Sequence, residues 1–196
     1  MAIAHRKLPR RRGEALNAAI LQATLDELAE VGYANLTMER VAERARASKA
    51  SLYRRWPSRI ELTMDAVYQS LVDAASPTDT GSLRGDLVAQ LRRAADLLAG
   101  PAGEALRGVL SDALRDQTRM ADLRGHSQGA SRAAMQEIAR RAAARGEIAE
   151  AAITPRRLEV AHALLRHHFL FNGTPIPDPV LIEIVDEVIV PLFTGP

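Results

Sequence analysis

The chain of 196 residues is 47% apolar and 26% charged, an ordinary globular composition, and is long enough for one sizeable core or for a small domain joined to a larger one. It contains no cysteine, which excludes disulfides, thiolate metal sites and a cysteine nucleophile and suits a cytoplasmic protein. Its net charge of +2 conceals an asymmetry: from Met1 to Ile60 twelve Lys/Arg stand against six Asp/Glu, giving +6 there and leaving −4 for the remainder.

A basic end on a mildly acidic body points to a polyanionic partner, although a solvated charged surface gives the same balance. The basic stretch from His5 to Arg12 is not followed by the apolar run of a signal peptide. No segment approaches the roughly 18 uninterrupted apolar residues of a membrane span. The most hydrophobic one, Val180 to Phe193, is broken by Glu183, Asp186, Glu187 and Pro191. A cytoplasmic protein with no membrane association is the expectation.

Ala, Leu, Arg and Glu dominate and alternating β-branched runs are missing, so the sequence reads as helix almost throughout. Residues 1–12 form a basic arm. The first helix is expected from about Gly13 to Val31, with Leu16, Ile20, Ala23, Leu28 and Val31 on one face and Gly32 as a left-handed cap. A short second helix is capped by Thr37 and turns Val41, Ala42 and Ala45 inward. A third, capped by Ser48, carries Leu52 and ends near Trp56-Pro57. Together, residues 13–57 form one small module. The fourth helix opens on the capping box Ser58-Arg59-Ile60-Glu61, runs to about Ala75 and makes residues 58–75 a connector. The polar stretch Ser76–Ser82 is the best domain junction, with 76–196 forming the body. There, helices are expected at about Leu83–Ala99, Gly103–Arg115 and Arg119–Ala144, the last bent at Gly125 and Gly129 and ended by Gly146. Thr154-Pro155 opens a helix to about Phe171, and Asp178-Pro179 opens the last one, to about Phe193. The fold class is therefore all-α, with about nine helices.

The informative stretch is Leu36 to Leu62, where two short helices lie about three residues apart, the spacing of a helix-turn-helix. The second is too short to persist alone and needs Leu52 and Trp56 as anchors. That leaves Lys49, Ala50, Ser51, Tyr53, Arg54 and Arg55 to face solvent or a ligand. Small Ala50 and Ser51 permit close approach to base edges, and Lys49 and Arg55 suit guanine O6 and N7. Tyr53, Arg59 and the amides at the Thr37 helix start suit phosphates. A small bundle with a charged face would show the same spacing.

The ordered pattern Ile20-Leu21-x-Ala23, Ala29-Glu30-x-Gly32-Tyr33, Leu36-Thr37, Val41-Ala42, Ala45, Ser48-Lys49-x-Ser51-Leu52-Tyr53, Trp56-Pro57-Ser58-Arg59 and Leu62 resembles the N-terminal domain of the TetR family of regulators. Three positions depart from that family's pattern. Arg46 stands where Gly is frequent, Leu28 replaces a usual aromatic, and Trp56 occupies a position where Phe is common. Arg46 leaves the turn conformation in doubt and adds a further candidate phosphate contact. The arm from Arg6 to Arg12 is similar to basic extensions of some family members and is either a backbone or minor-groove contact or a free tail.

The resemblance implies a larger C-terminal helical domain that binds a small molecule and dimerises. Leu181, Ile184, Val185, Val188, Ile189 and Leu192 form an apolar stripe which, with Leu158, Ala161, Leu164, Leu165 and Phe169, suggests half of a four-helix dimer interface; the interface set is Leu158, Ala161, Leu165, Phe169 and the six of the last helix. Completion of the monomer core is the alternative. Met120, Leu123, His126, Met135, His167 and Phe171 are candidates to line an effector pocket, and the scarcity of aromatics favours a small hydrophobic effector. His126, His162, His167 and His168 lack the carboxylate or Cys partners of a metal site, so no metal and no cofactor are expected. No phosphate loop, G-x-S-x-G or H-E-x-x-H motif marks an enzyme.

The expected function is a homodimeric repressor that binds double-stranded DNA at a palindromic operator and is released by an effector acting through the fourth helix. A ligand-independent or activating regulator is the alternative, and a helical enzyme or small-molecule carrier a remote one.

Overall fold

The computed structural model describes residues 13–73, 77–114 and 129–195, and all the regular structure in them is helical. The elements are α1 (Glu14–Asn35), α2 (Met38–Arg44), α3 (Lys49–Tyr53), α4 (Arg59–Asp73), α5 (Leu83–Ala99), α6 (Pro101–Ala113), α7 (Gly129–Ala144), a 3-10 turn (Glu150–Ala152), α8 (Pro155–Phe171), α9 (Asp178–Glu183), a π-helical segment (Ile184–Ile189) and α10 (Val190–Thr194). None of the helices among these residues is long and apolar enough to cross a membrane.

Local chemistry sets the boundaries. Side-chain oxygens of Thr37, Ser48, Ser82 and Thr154 accept the amides of Arg40, Ser51, Gly85 and Arg157, so each otherwise orphaned helix start is satisfied where a capping residue precedes the apolar run. Ser58 likewise accepts the amide of Glu61. Gly32 has φ 71°, ψ 169° and breaks α1 before a final turn that carries Tyr33 into the core. α6 begins at Pro101, two residues before the expected Gly103, because proline suits a helix's first position. The expected helix before Gly129, the Arg6–Arg12 arm and the pocket candidates Met120, Leu123 and His126 lie outside the described residues.

Two apolar cores organise the chain, and they do not follow chain order. The first joins α1–α4 through Ile20, Leu28, Leu36, Val41, Leu52, Trp56 and Leu62, and it includes Ala102, Ala105 and Val109 of α6. The second joins α5, α7, α8 and the C-terminal rod through Leu87, Leu91, Met135, Ile138 and their neighbours. Seven of the ten residues expected at a dimer interface belong to this second core: Leu158, Ala161, Leu165, Phe169, Leu181, Val185 and Ile189 are at most 3% exposed. They are enclosed within this chain's own core. Ile184, Val188 and Leu192 flank this buried stripe. Met135, a pocket candidate, is fully buried in the same core, while His167 and Phe171 stack on each other on the exposed side of α8, ring centroids 4.8 Å apart, rather than pointing inward.

The rod's departure from α geometry follows from its sequence. Its buried residues, Leu181, Val185, Ile189 and Phe193, recur every fourth position. In a regular α-helix a four-residue repeat drifts about 40° per step. Wider π turns bring the period nearer four, and the Val190 amide accordingly reaches Val185 O. Pro191, which has no amide to donate, follows immediately.

Polar ties fix the junctions. Buried Asp86 accepts the Thr80 amide at 2.6 Å, the Thr80 hydroxyl at 2.7 Å and Arg145 at 3.2 Å, so the turn at Thr80 before α5 is held against the end of α7. Burial alone would raise the Asp86 carboxyl, but these donors outweigh it and hold it below its ordinary range. Between α1 and α2, Glu27 is 3% exposed and accepts Arg40 Nε at 2.7 Å and Arg44 Nε at 2.6 Å, and Arg44 also contacts Glu30. Burial raises the Glu27 carboxyl, yet the two guanidinium groups prevail and leave it lowered.

A lowered folded-state pKa means that Glu27 stabilises the fold above its unfolded value and that this contribution is lost as pH falls through the folded value. Glu27→Gln should therefore cost about 1–2 kcal/mol at neutral pH, kept modest by the solvent-exposed sides of both arginines. The difference from the native protein should shrink below about pH 4.5 in urea-melt series, and a difference independent of pH would refute this account.

Candidate nucleic-acid interface

α2 ends in a tight reversal that sets the position of α3. The Arg46 amide donates to Glu43 O at 3.0 Å and the Ala47 amide to Ala42 O at 2.9 Å, the paired bonds of a Schellman motif. Its left-handed position is occupied by Arg46, at φ 53°, where glycine would be unstrained. The chain thus makes the glycine turn without the glycine, and the Arg46 side chain emerges exposed beside the start of α3.

α3 has only five residues and is held from beneath. Leu52 is fully buried, and Trp56 is 5% exposed with Nε1 donating to Asp65 on α4 at 2.6 Å. With that side fixed, Ser48, Lys49, Ala50, Tyr53 and Arg54 are left exposed, together with Thr37 at the start of α2. Tyr53 retains 45% exposure. Side chains of this kind, on a narrow helix with small Ala50 at its centre, suit entry into a groove about 12 Å wide.

Ser51, Arg55, Arg59 and Lys49, all sequence candidates, are engaged internally. Ser51 is buried, and its hydroxyl and carbonyl accept Arg55 Nη1 at 2.6 and 2.8 Å, so these two latch onto each other. Arg59 lies over the Tyr33 ring, 4.6 Å from its centroid, and its Nη1 is 3.5, 3.4 and 3.5 Å from the carbonyl oxygens of Tyr33, Ala34 and Leu36. It binds the frayed end of α1, a task that spacing alone does not disclose. Lys49 pairs with Glu39 of α2 at 3.4 Å. The Glu39 carboxyl is held below its ordinary range by its own backbone amide and then by Lys49. Arg40 is the cation that sequence reasoning passed over. It is 46% exposed beside Thr37 and oriented by Glu27, a partner thirteen residues away that no local pattern reveals.

In the body, His162 Nδ1 is buried without a hydrogen-bond partner among the described residues. Burial first, and the charge of Arg166 second, push its imidazole down to about 4, so it is neutral near pH 7.

Residues 20–64 match the family model described as bacterial regulatory proteins, tetR family, and residues 77–188 match the tetracyclin repressor-like C-terminal domain. The chain belongs to the TetR family of transcriptional regulators. An HTH-type transcriptional regulator of Mycobacterium tuberculosis is 34% identical over 178 residues, covering 89% of this chain and 86% of its own. The DNA-binding transcriptional repressor TetR of Mycobacteroides abscessus is 33% identical over 188 residues, covering 93% and 96%. The crystal structure of the TetR family transcription regulator SCO0332 superposes with a TM-score of 0.78 at 29% identity, covering 90% of this chain and 97% of that one. This regulator is thus an all-α, repressor-like DNA-binding protein of that family, and the matches point to regulation of transcription rather than to enzymatic turnover.

Arg46→Gly removes a left-handed side chain that costs about 1–2 kcal/mol, partly offset by the greater freedom of glycine in the unfolded chain. The variant should be more stable by up to about 1 kcal/mol in thermal or urea melts. A loss of stability would mean that the Arg46 side chain makes a compensating contact.

Proposed function

We propose that this regulator is a homodimeric repressor that places α3 of each protomer in successive major-groove segments of a palindromic operator and leaves it when a small hydrophobic effector binds the body. The observation that carries the DNA reading is the division of α3 into an anchored side, Leu52 and Trp56, and an exposed side bearing Lys49, Ala50, Tyr53 and Arg54. Lys49 and Arg54 are the base-edge readers, Lys49 after exchanging Glu39 for DNA. Thr37, Ser48, Tyr53, Arg40 and Arg46 bind phosphates. Ser51 and Arg55 set the shape of the helix, with Arg55 a secondary reader once released from Ser51.

The dimer reading rests on the outer sides of α8 and the rod. Val160, Leu164, Ile184 and Leu192 are only partly covered, Val188 is 39% exposed, and Phe171 is 77% exposed. Such an apolar strip, continuous with the body's core through Val160, Leu164 and Ile184, suits a second copy of the same helices. Two heads held by this seam would meet half-sites about one DNA turn apart. An effector that favours another dimer geometry would lower operator affinity only as far as it discriminates between the two. His162 supplies a neutral nitrogen for one polar contact to it. An effector that binds tightly without changing operator affinity would refute the release mechanism.

With DNA selected by the native protein from a random-sequence pool, Lys49→Ala and Arg54→Ala should each weaken specific binding by about 1–3 kcal/mol, and Arg55→Ala by less. Equal losses on selected and random duplex would make them phosphate contacts instead. Val188→Asp should give a folded monomer in sedimentation, because Val188 lies outside the core; a persistent dimer would move the interface elsewhere.

A further inference from the structure

The end of the body remote from the DNA-binding module holds a cleft that the proposed function leaves unused. α7 is ended by Gly146, at φ 77°, whose amide donates to Ala143 O while the Glu147 amide donates to Ala142 O, a second Schellman turn. Ile148 then tucks into the body's core, the 3-10 turn follows, and Thr154 caps the start of α8. The C-terminal rod finishes beside this turn. Between them opens a cleft of about 550 Å³, floored by Ile148, Ala152 and Phe193 and edged by Ala149, Ala151 and Gly195. That volume falls within the range of small-molecule sites, roughly 300–1,000 Å³. Arg157, which also lines the cleft, lies twelve residues, about 18 Å of helix, from Phe169, the end of α8 that meets α6.

Two of the polar side chains on the cleft are already engaged. Glu147 accepts the Leu83 amide at 2.7 Å and Arg145 Nε at 2.5 Å, and the Thr194 hydroxyl donates to Val190 O at 2.9 Å. Arg157 differs: it is half-buried, and its guanidinium has no hydrogen bond or ion pair among the described residues. Elsewhere in the body Arg84, Arg92, Arg107, Arg141 and Arg145 each hold a carboxylate or a carbonyl. Helical side chains lean towards the N-terminus, so a residue in the first turn of α8 reaches back over the 3-10 turn that forms one wall. We infer that this cleft binds a small carboxylate with an apolar tail, the carboxylate on Arg157 and the tail on Ile148, Ala152 and Phe193. The planar guanidinium fork matches a carboxylate through two parallel hydrogen bonds. The apolar floor favours an anion with a tail over a fully hydrated one such as phosphate. This site is distinct from the effector contact assigned to His162. Five residues separate Arg157 from His162, which turns the helix by about 140° beyond one full revolution, so the two project from different sides of α8. The occupant would touch the turn after α7, the start of α8 and the end of the rod together, and so stabilise their mutual packing.

The test uses the full chain with isotope-labelled alanine methyl groups, because Ala149, Ala151 and Ala152 report from the walls of the cleft by NMR. Octanoate is the probe, octanol its uncharged counterpart and inorganic phosphate an anion without a tail. At neutral pH octanoate should shift these methyl signals saturably, whereas octanol and phosphate at the same concentrations should leave them nearly unmoved. Arg157→Met keeps the apolar stem and removes the guanidinium. It should raise the octanoate Kd roughly tenfold to a hundredfold, the scale of a lost charge-assisted hydrogen bond. The melting temperature of the unliganded protein should change little, since Arg157 holds no partner within the fold. Arg157→Lys keeps the charge without the fork and should fall between the two. Ala151→Trp fills the cleft from an exposed position and should abolish the octanoate shifts at Ala149 and Ala152 with Arg157 intact. Shifts confined to alanines outside the cleft, an equal response to octanol or to phosphate, or an undiminished response in Arg157→Met overturns the inference. The three probes on the native protein decide the matter even where a variant fails to fold. No DNA enters the measurement, so failure of the DNA reading leaves its outcome untouched.

Discussion

Five residues of helix form too few hydrogen bonds to offset the entropy of ordering them, so α3 has its shape only because something else holds it. The burial of Leu52 and Trp56 is that constraint, and much of the remaining chain serves it. Trp56 is fixed by Asp65 of α4, and Leu52 fits among side chains of α1, α2 and α4. The Schellman turn at Arg46 sets the angle between α2 and α3. A helix with one side so held has no freedom to rotate, and a reader of base edges must be pre-oriented because each contact depends on geometry over a few tenths of an ångström.

The basic character of the N-terminal part has a second meaning once partners are known. Of its cations, Arg40 and Arg44 serve Glu27 and Glu30, Arg55 serves Ser51, Arg59 serves the end of α1, and Lys49 is shared with Glu39. Net charge therefore overstates what is free for DNA at any instant. The excess still acts at long range, where the field depends on the sum of charges and not on their pairing. Short-range discrimination falls to the few groups whose partners are weak enough to exchange. An exposed pair such as Lys49–Glu39 contributes little stability and can be given up for a base edge, whereas the Glu27 pair is buried on one side and cannot.

What was legible in the sequence follows the same division between local and distant interactions. Caps and periodicity are local, and they located α5 at Leu83–Ala99 and α8 at Pro155–Phe171 to the residue. The ordered family pattern located the helix-turn-helix. The left-handed Arg46 ran against propensity, because a turn imposed by the packing of two helices overrides the preference of one residue. The partners of Glu27 and Arg59 lie at separations that no periodic reading samples. The last helix is less legible for a different reason. Its apolar stripe reads as a single surface in the sequence, whereas the π turns separate it into a four-spaced buried line and an outer strip of Ile184, Val188 and Leu192. A stripe wide enough to serve two surfaces does not announce which side meets the core.

The connection between the two halves is where chain order misleads most. Composition marks Ser76–Ser82 as the junction and α4 as the connector. Force, however, travels through packed atoms, and the core of α1–α4 is completed by α6, which arrives after α5 has already entered the body. Removing α6 would expose Tyr33, so the N-terminal module depends for its stability on a helix that covalently belongs to the other half. That dependence makes displacement of α6 costly to the module unless the module moves with it. Rigid interiors switch between alternative packings rather than deform gradually. A helix that completes the core of α1–α4 while following α5 in the chain therefore ties the packing of the module to that of the body.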